Sequence, residues 1–176
     1  RFSMRLSELF REVEFDGSIK NDADINLVTD DSRLVRPGSL FVCIRHRSFD
    51  GHTAALDALA SGATAVVTQD RLGLENELRV ADSRSAYARL CAALCNHPER
   101  KLRMIGVTGT NGKTTVTTLI RNILSDSGTK TLLTGTVCNR LGDENLPSGL
   151  TTPKPPELYS LLSRAVSQRC KACVME

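Results

Sequence analysis

The stretch GVTGTNGKTT, residues 106–115, joins two apolar segments through a loop that carries three glycines and one lysine. Residues 102–107 form a compact apolar run, which predicts a strand. Beyond the loop, apolar side chains recur three and four residues apart and predict an amphipathic helix that ends at Gly128. A glycine loop between a strand and a helix N-terminus gathers backbone N–H groups around an anion, so the stretch predicts a phosphate site. The recurring apolar residues are Val116, Leu119, Ile120, Ile123 and Leu124.

The residue types in this loop favour ATP as the ligand. Lys113 supplies a mobile cation for the β- and γ-phosphates and is the predicted catalytic residue, and the Thr114 hydroxyl suits Mg²⁺. The strict phosphate-loop pattern G-x-x-x-x-G-K-[ST] needs glycine at position 107, where Val107 stands, so the loop is a variant. The residues predicted to bind ATP are Gly109, Thr110, Asn111, Gly112, Lys113, Thr114 and Thr115.

The loop alone leaves other nucleotide chemistries open. A small-molecule kinase or an unrelated ATPase remains an alternative. A GTPase would be expected to carry an Asn-Lys-x-Asp motif for reading the base, and the sequence has none.

Strand-like and helix-like segments alternate along the chain, which predicts an α/β fold with parallel pairing. We predict a small N-terminal α/β domain over residues 1–98, then the start of a P-loop-type parallel-sheet ATP-binding domain over 99–176. Strands are predicted at 39–44, 64–68, 102–107, 131–135 and 172–175. Helices are predicted at 6–13, 51–63, 83–98, 113–128 and 155–168, and a turn-rich segment at 138–149.

The composition argues against several classes of protein. The net charge is only +3 and the basic residues are scattered, so no nucleic acid partner is expected. No apolar run reaches the length of a membrane span, and the first residues lack the core of a signal peptide. Six cysteines without a secretory signal indicate reduced thiols, so we predict a cytoplasmic protein, and we expect a monomer.

One cysteine pair has the spacing of metal ligands. Cys170 and Cys173 would need a second pair to complete a zinc site, and Cys91 with Cys95 does not have the Cys-x-x-Cys spacing. Buried structural thiols are therefore favoured over zinc. The three histidines are isolated in sequence and are given no catalytic role.

The loop GVTGTNGKTT closely resembles the ATP loop of the Mur ligase family, whose members activate a carboxylate as an acyl phosphate that an amine then attacks. The segment DDSRLVRPGSLFVCIRHRSFDGHTAALDALASGATAVV, residues 30–67, is similar to the N-terminal domain of the members that extend the peptidoglycan stem peptide. In that domain the matching segments surround the uridine diphosphate end of the substrate. The resemblance implies substrate contacts from Asp30, Ser32, Arg47, Ser48 and Phe49.

The second half separates two branches of this family. Residues 135–176 look like the branch that adds the third amino acid, in which a Thr-Thr pair contacts the muramoyl-dipeptide; here the pair is Thr151 and Thr152. The alternative branch, which adds the terminal dipeptide, would be expected to show an Asn-Asn-x-x-Gly-x-Pro segment, and the sequence has none.

The resemblance implies a reaction that uses ATP and Mg²⁺, with UDP-N-acetylmuramoyl-L-alanyl-D-glutamate and a diamino acid, meso-diaminopimelate or L-lysine, as the other substrates. It also implies that Glu176 binds Mg²⁺ together with Thr114. Because the match covers only the first third or so of such an enzyme, we expect the C-terminal domain to be absent and these residues to be inactive alone.

Overall fold

The computed structural model describes residues 2–136, 139–146 and 153–176. The chain divides between Asn96 and His97 into two compact units, and each unit contains a sheet with parallel strands. The predicted α/β fold class is confirmed. Within the described part of the chain, no helix has the length and apolar character needed to cross a bilayer.

The first unit is built on a four-stranded parallel sheet in the order β3–β4–β5–β6, beside a short antiparallel pair, β1–β2. Ala55 and Ala58, on the helix Ala55–Ala60, pack against Phe41 and Val66 of the sheet. Ala54, which lies just before this helix, joins the same cluster. Its strands are β1 Met4–Arg5, β2 Asp24–Ile25, β3 Leu27–Thr29, β4 Ser39–Val42, β5 Ala63–Thr68 and β6 Glu77–Arg79. Its helices are α1 Leu6–Leu9, α2 Ala55–Ala60 and α3 Ser83–Leu94.

The second unit carries a five-stranded sheet in the order β10–β9–β8–β11–β7. Strand β11 lies between β8 and β7 and is parallel to both, whereas β9 and β10 form an antiparallel hairpin at the β8 edge. Its strands are β7 Arg103–Gly106, β8 Thr131–Thr134, β9 Asn139–Leu141, β10 Glu144–Leu146 and β11 Ala172–Met175. Its helices are α4 Lys113–Asp126 and α5 Pro155–Ser167.

Several elements differ from the sequence prediction. The first helix is a single turn, shorter than the predicted 6–13, and the three-residue strands β3 and β6 were not predicted because so short a strand shows no periodicity. The turn-rich segment contains the hairpin β9–β10. Its two-residue loop is Gly142–Asp143, with φ of +58° at Gly142, and this Gly-Asp pair is the signal that could have identified the hairpin.

Helix α4 is present as predicted, but its two buried residues are polar, and of its predicted apolar stripe only Ile120 and Leu124 are half-buried. Thr117 is fully buried and Arg121 is 8% exposed. Both polar groups find main-chain partners: Thr117 Oγ1 donates to the Thr114 carbonyl at 3.1 Å, and Arg121 Nη2 donates to the Gly142 carbonyl at 2.7 Å. By contrast, Leu119 and Ile123 are 56% and 67% exposed. The buried arginine therefore links α4 to the hairpin turn.

The two helices of the second unit give a direct test of this packing. Leu162 of α5 is 1% exposed in the core, whereas Leu119 of α4 is mostly exposed. We expect Leu162→Ala to lower the free energy of unfolding by about 2–5 kcal/mol because it leaves a cavity. Leu119→Ala should change it by less than about 0.5 kcal/mol. Urea unfolding followed by circular dichroism measures both, and an equal cost for the two substitutions would contradict the packing described.

Candidate functional site

The glycine loop lies where β7 ends and α4 begins. Val107 N–H donates to the Met175 carbonyl at 2.8 Å, so the start of the loop is fixed against β11. Gly109 and Gly112 have φ of +152° and +76°, conformations that favour glycine, and Gly112 is the N-cap of α4. The loop residues between them are exposed. The loop therefore presents the N-terminal N–H groups of a fourteen-residue helix to solvent, as a phosphate site requires.

The Lys113 side chain lies over this loop. Its Nζ donates to the Gly109 carbonyl at 2.8 Å, so the ammonium group folds back onto the loop that it follows. The Lys113 side chain is half-buried. A single hydrogen bond to a neutral carbonyl is easily exchanged for one to a phosphate oxygen, which is the stronger acceptor.

Glu176 follows β11 directly at the carboxyl edge of the sheet. Its backbone N–H donates to the Thr134 carbonyl at 3.1 Å, and its Oε2 accepts a 2.9 Å bond from Thr136 Oγ1. The carboxylate also lies against the Cα of Gly135, where a Cβ would overlap it. The end of β8 thus provides both a hydroxyl that orients Glu176 and the space that the carboxylate occupies.

The donor atoms near the loop fit Mg²⁺. Mg²⁺ prefers oxygen ligands and is usually held by one or two carboxylates together with substrate phosphates and water, so a protein cage is unnecessary. The Glu176 carboxylate and the Thr114 hydroxyl are such donors, and they flank the loop on β11 and α4. Across the residues that the structure describes, no cluster of three or more His, Cys, Asp or Glu side chains could hold a metal by itself.

The space that Gly135 leaves for the Glu176 carboxylate can be tested by a substitution that should not disturb the fold. Its backbone conformation is open to alanine, and the three nearest atoms that a Cβ would meet belong to the flexible Glu176 side chain. We expect Gly135→Ala to displace the carboxylate with less than about 1 kcal/mol of destabilisation. Affinity for ATP in the presence of Mg²⁺ should fall about tenfold, the size of one lost charge-assisted interaction.

Calorimetric titration with ATP, with and without Mg²⁺, measures this effect. Binding without Mg²⁺ is the internal control and should not change, and Glu176→Gln should reproduce the Gly135→Ala result. Unchanged Mg²⁺-dependent affinity in a folded Gly135→Ala protein would contradict the role given to Glu176.

The first unit also collects polar residues at the carboxyl edge of its parallel sheet. Asp30 follows β3, and Ser32 begins a single 3₁₀ turn that is capped by Asp31, whose Oδ1 accepts from the Arg33 N–H at 3.0 Å. Ser32 is half-buried. Ligands in open α/β sheets bind at this edge, so Ser32 lies where such a ligand would be held, and its contact with substrate stays a prediction.

Residues 45–50 form a closed loop after β4. Arg45 and Asp50 pair across its base by an antiparallel bridge and by an ion pair, with Arg45 Nε 3.1 Å from Asp50 Oδ2. At the tip, the His46 N–H donates to the Phe49 carbonyl at 2.8 Å. This turn leaves three residues of the predicted substrate set exposed on one loop: Arg47, Ser48 and Phe49.

Asp50 and His52 fix the base of this loop to the core. His52 is buried, its Nε2 accepts from the Gln69 N–H at 3.0 Å, and its Nδ1 lies 2.6 Å from Asp50 Oδ1. Because Nε2 is the acceptor, Nδ1 carries the proton and donates to the carboxylate. Hydrogen bonds from the His52 N–H and then from its side chain lower the pKa of Asp50 to about 2. His52 is therefore a structural histidine.

The depressed pKa of Asp50 predicts an acid-dependent loss of stability. The folded-state pKa is below the ordinary value of 3.8, so the contribution is complete above that value and is lost as the pH falls towards about 2. Asp50→Asn keeps an acceptor oxygen but does not titrate. In urea unfolding between about pH 6 and pH 2, the stability advantage of the unsubstituted protein should shrink as the pH falls. A difference that is independent of pH would contradict this assignment.

Two predicted contacts of the muramoyl-dipeptide, Thr151 and Thr152, lie outside the described residues and stay predictions.

Sequence reasoning missed two residues that the fold brings to the candidate site of the first unit. His46 and Tyr87 both contact the Asp30 carboxylate, and they lie 16 and 57 residues from it in the chain. Nothing in the local pattern joins residues so far apart. His46 could have been noticed only through its place in the predicted loop.

The cysteines are free where the structure describes them, and Cys173 is fully buried. Burial raises the pKa of Cys173 to about 12, so it stays a neutral thiol. Cys173 therefore packs as a small apolar side chain in the core of the second unit.

Two family models match the chain, one over each part. The model of the Mur ligase family, catalytic domain, matches residues 24–97, and the model of the Mur ligase middle domain matches residues 107–176. The chain belongs to the Mur ligase family. The resemblance first seen in the glycine loop is thereby confirmed.

Two curated relatives show which members of the family the chain is similar to. The chain is 36% identical to a UDP-N-acetylmuramoyl-L-alanyl-D-glutamate–2,6-diaminopimelate ligase of Phocaeicola vulgatus, over 98% of the chain and 37% of the relative. It is 37% identical to a UDP-N-acetylmuramyl-tripeptide synthetase of Deinococcus radiodurans, with 98% and 37% covered. The chain therefore spans little more than a third of the length of these relatives.

Solved structures agree with this likeness. A UDP-N-acetylmuramoyl-L-alanyl-D-glutamate–2,6-diaminopimelate ligase superposes with a TM-score of 0.74 at 27% identity, over 98% of this chain and 35% of that one. The MurF ligase of Thermotoga maritima in complex with ADP gives a TM-score of 0.52 at 22% identity, over 85% and 31%, and shows the fold alone.

Proposed function

We propose that this Mur ligase chain serves the ATP-dependent addition of a diamino acid, meso-diaminopimelate or L-lysine, to UDP-N-acetylmuramoyl-L-alanyl-D-glutamate in cytoplasmic peptidoglycan precursor synthesis. The observation that carries the proposal is the meeting of the Lys113 loop and the Glu176 carboxylate at one edge of a parallel sheet. The names of the relatives, which include tripeptide synthetases and diaminopimelate ligases, supply the substrate class.

The proposed reaction has two balanced steps. A carboxylate oxygen of the D-glutamyl residue attacks the γ-phosphorus of ATP, and the bond from that phosphorus to ADP breaks, giving an acyl phosphate and ADP. The amine then attacks the acyl carbon, phosphate leaves with its bonding electrons, and the amine loses a proton. Bound Mg²⁺ would neutralise charge on the phosphate oxygens.

The residues of this chain act in the reaction by positioning and by charge. Lys113 exchanges the Gly109 carbonyl for the phosphate and balances the negative charge that develops during transfer. The N-terminal N–H groups of α4 hold the phosphates, with Gly112 allowing their convergence. Thr114 and Glu176 provide the oxygen ligands for the metal, and Thr136 keeps the Glu176 carboxylate oriented.

In the first unit, the exposed loop 45–50 and Ser32 are proposed to hold the uridine diphosphate end of the substrate. Arg47 offers a guanidinium that can bind a phosphate with two parallel hydrogen bonds, and Ser32 offers a small hydroxyl at the same sheet edge. Phe49 is 51% exposed on the loop and offers an aromatic face for a base. We propose that the protein is a monomer and has no nucleic acid or membrane partner.

Calorimetric titration with UDP-N-acetylmuramoyl-L-alanyl-D-glutamate tests this assignment. We expect Ser32→Ala and Arg47→Ala to weaken binding about ten- to 150-fold, the range that follows from losing one hydrogen bond to a charged group, about 1.5–3 kcal/mol. Arg11→Ala, which removes an exposed arginine that pairs with Glu8 of α1, is the control and should bind normally. If a folded protein binds ATP but not the UDP-linked substrate, the proposal fails in favour of an unrelated kinase or ATPase.

A further inference from the structure

The loop 45–50 is tied to the segment that follows β3 by one side chain. His46 Nε2 lies 3.4 Å from Asp30 Oδ2, so the imidazole of the loop reaches a carboxylate that belongs to another strand end. The His46 side chain is 41% exposed, whereas that of Asp30 is only 8% exposed. The contact therefore joins a mostly solvated loop to a group that is fixed in the body of the unit.

Asp30 is held in place because its second carboxylate oxygen also accepts a hydrogen bond. Oδ1 of Asp30 accepts a 3.2 Å hydrogen bond from the Tyr87 hydroxyl, and Tyr87 is buried on α3. Burial, and then the negative charge of Asp30, raise the pKa of Tyr87, so this phenol keeps its proton and remains a donor. The carboxylate is thus anchored to a twelve-residue helix that is itself capped by Asp82.

His46 also closes the tip of its loop through the main chain, because its N–H donates to the Phe49 carbonyl. The same residue therefore fixes the turn with its backbone and anchors it with its side chain. Arg47 and Ser48 lie between these two points on the turn, and both are exposed.

We propose that His46 is a positioning residue for the uridine-end site and that Asp30 acts as its buried anchor, although Asp30 was first predicted as a substrate contact. The chain of contacts runs from Tyr87 on α3 through Asp30 to His46, and it holds Arg47 and Ser48 at the sheet edge beside Ser32. This inference rests on the proposed function of the same site. Preorganising a loop in its binding conformation raises affinity by reducing the ordering that binding requires.

The test uses the complete gene product and calorimetric titration with UDP-N-acetylmuramoyl-L-alanyl-D-glutamate. His46→Ala should weaken binding about three- to tenfold, since one of the paired groups is partly exposed, and His46→Gln should restore part of it because an amide can donate to Asp30. Asp30→Asn should weaken binding similarly. The double variant should be no weaker than the weaker single variant, because both changes break one connection.

Two readouts separate positioning from general stability. The melting temperature and the affinity for ATP should stay unchanged in His46→Ala. Lys20→Gln is the matched control, because the Lys20–Glu75 pair in the same unit also spans 3.4 Å but lies away from the loop. This variant should bind the UDP-linked substrate normally.

Each remaining outcome is decisive. If the unsubstituted protein does not bind the UDP-linked substrate, the proposed function and this inference fail together. If it binds and His46→Ala binds equally well, the inference alone fails. If the effects of Asp30→Asn and His46→Ala add, or Asp30→Asn has no effect, then His46 does not act through Asp30 and the anchoring role is overturned.

Discussion

The parallel pairing of β11 between β8 and β7 is the constraint on which the candidate ATP site depends. This pairing puts the ends of three strands at one edge: Gly106 and the start of the loop, Gly135 with Thr136, and Glu176. No local propensity brings these segments together, since they come from positions 30 to 70 residues apart. Once β11 is in register, a carboxylate, a hydroxyl and a phosphate loop become neighbours without further adjustment of the backbone.

In the first unit, the loop after β4 depends in a similar way on Asp50, which lies at its base. Its carboxylate is held by the His52 main chain and side chain, and it pairs with Arg45 across the loop. Because the base is bonded so heavily, the exposed tip can carry polar and aromatic groups without unfolding the loop. The loop is thus anchored to the core by the buried His52, while the side chains proposed to bind substrate remain in solvent.

The features that could be predicted from sequence are those whose signals are local. The glycine loop lies between a strand and a helix, and the spacing of apolar residues located α4 and α5 because both repeat over three turns or more. The same spacing could not say which face of α4 is buried. Arg121 faces the sheet because the Gly142 carbonyl of a distant hairpin turn accepts its hydrogen bond, and that partner is defined only by the tertiary fold.

The candidate site residues also fall into two groups, those with a local sequence signal and those whose contacts depend on the tertiary fold. Lys113 and Gly112 were predictable because both belong to a short contiguous motif with a clear chemical purpose, whereas Ser32 was named only through the family resemblance. The supporting contacts were not predictable, since Thr136 with Glu176 and His46 with Asp30 join separate strand ends. Sequence patterns therefore identified groups that could touch ligand, whereas the groups that hold them in place required the sheet topology.

The most direct measurement is phosphate release by the complete gene product, supplied with ATP, Mg²⁺, UDP-N-acetylmuramoyl-L-alanyl-D-glutamate and a diamino acid, each omitted in turn. The account predicts that release requires both the UDP-linked substrate and the amine, and that Lys113→Met abolishes it. Release that continues without either substrate, or that survives loss of Lys113, would contradict the ligase assignment and favour an unrelated nucleotide hydrolase.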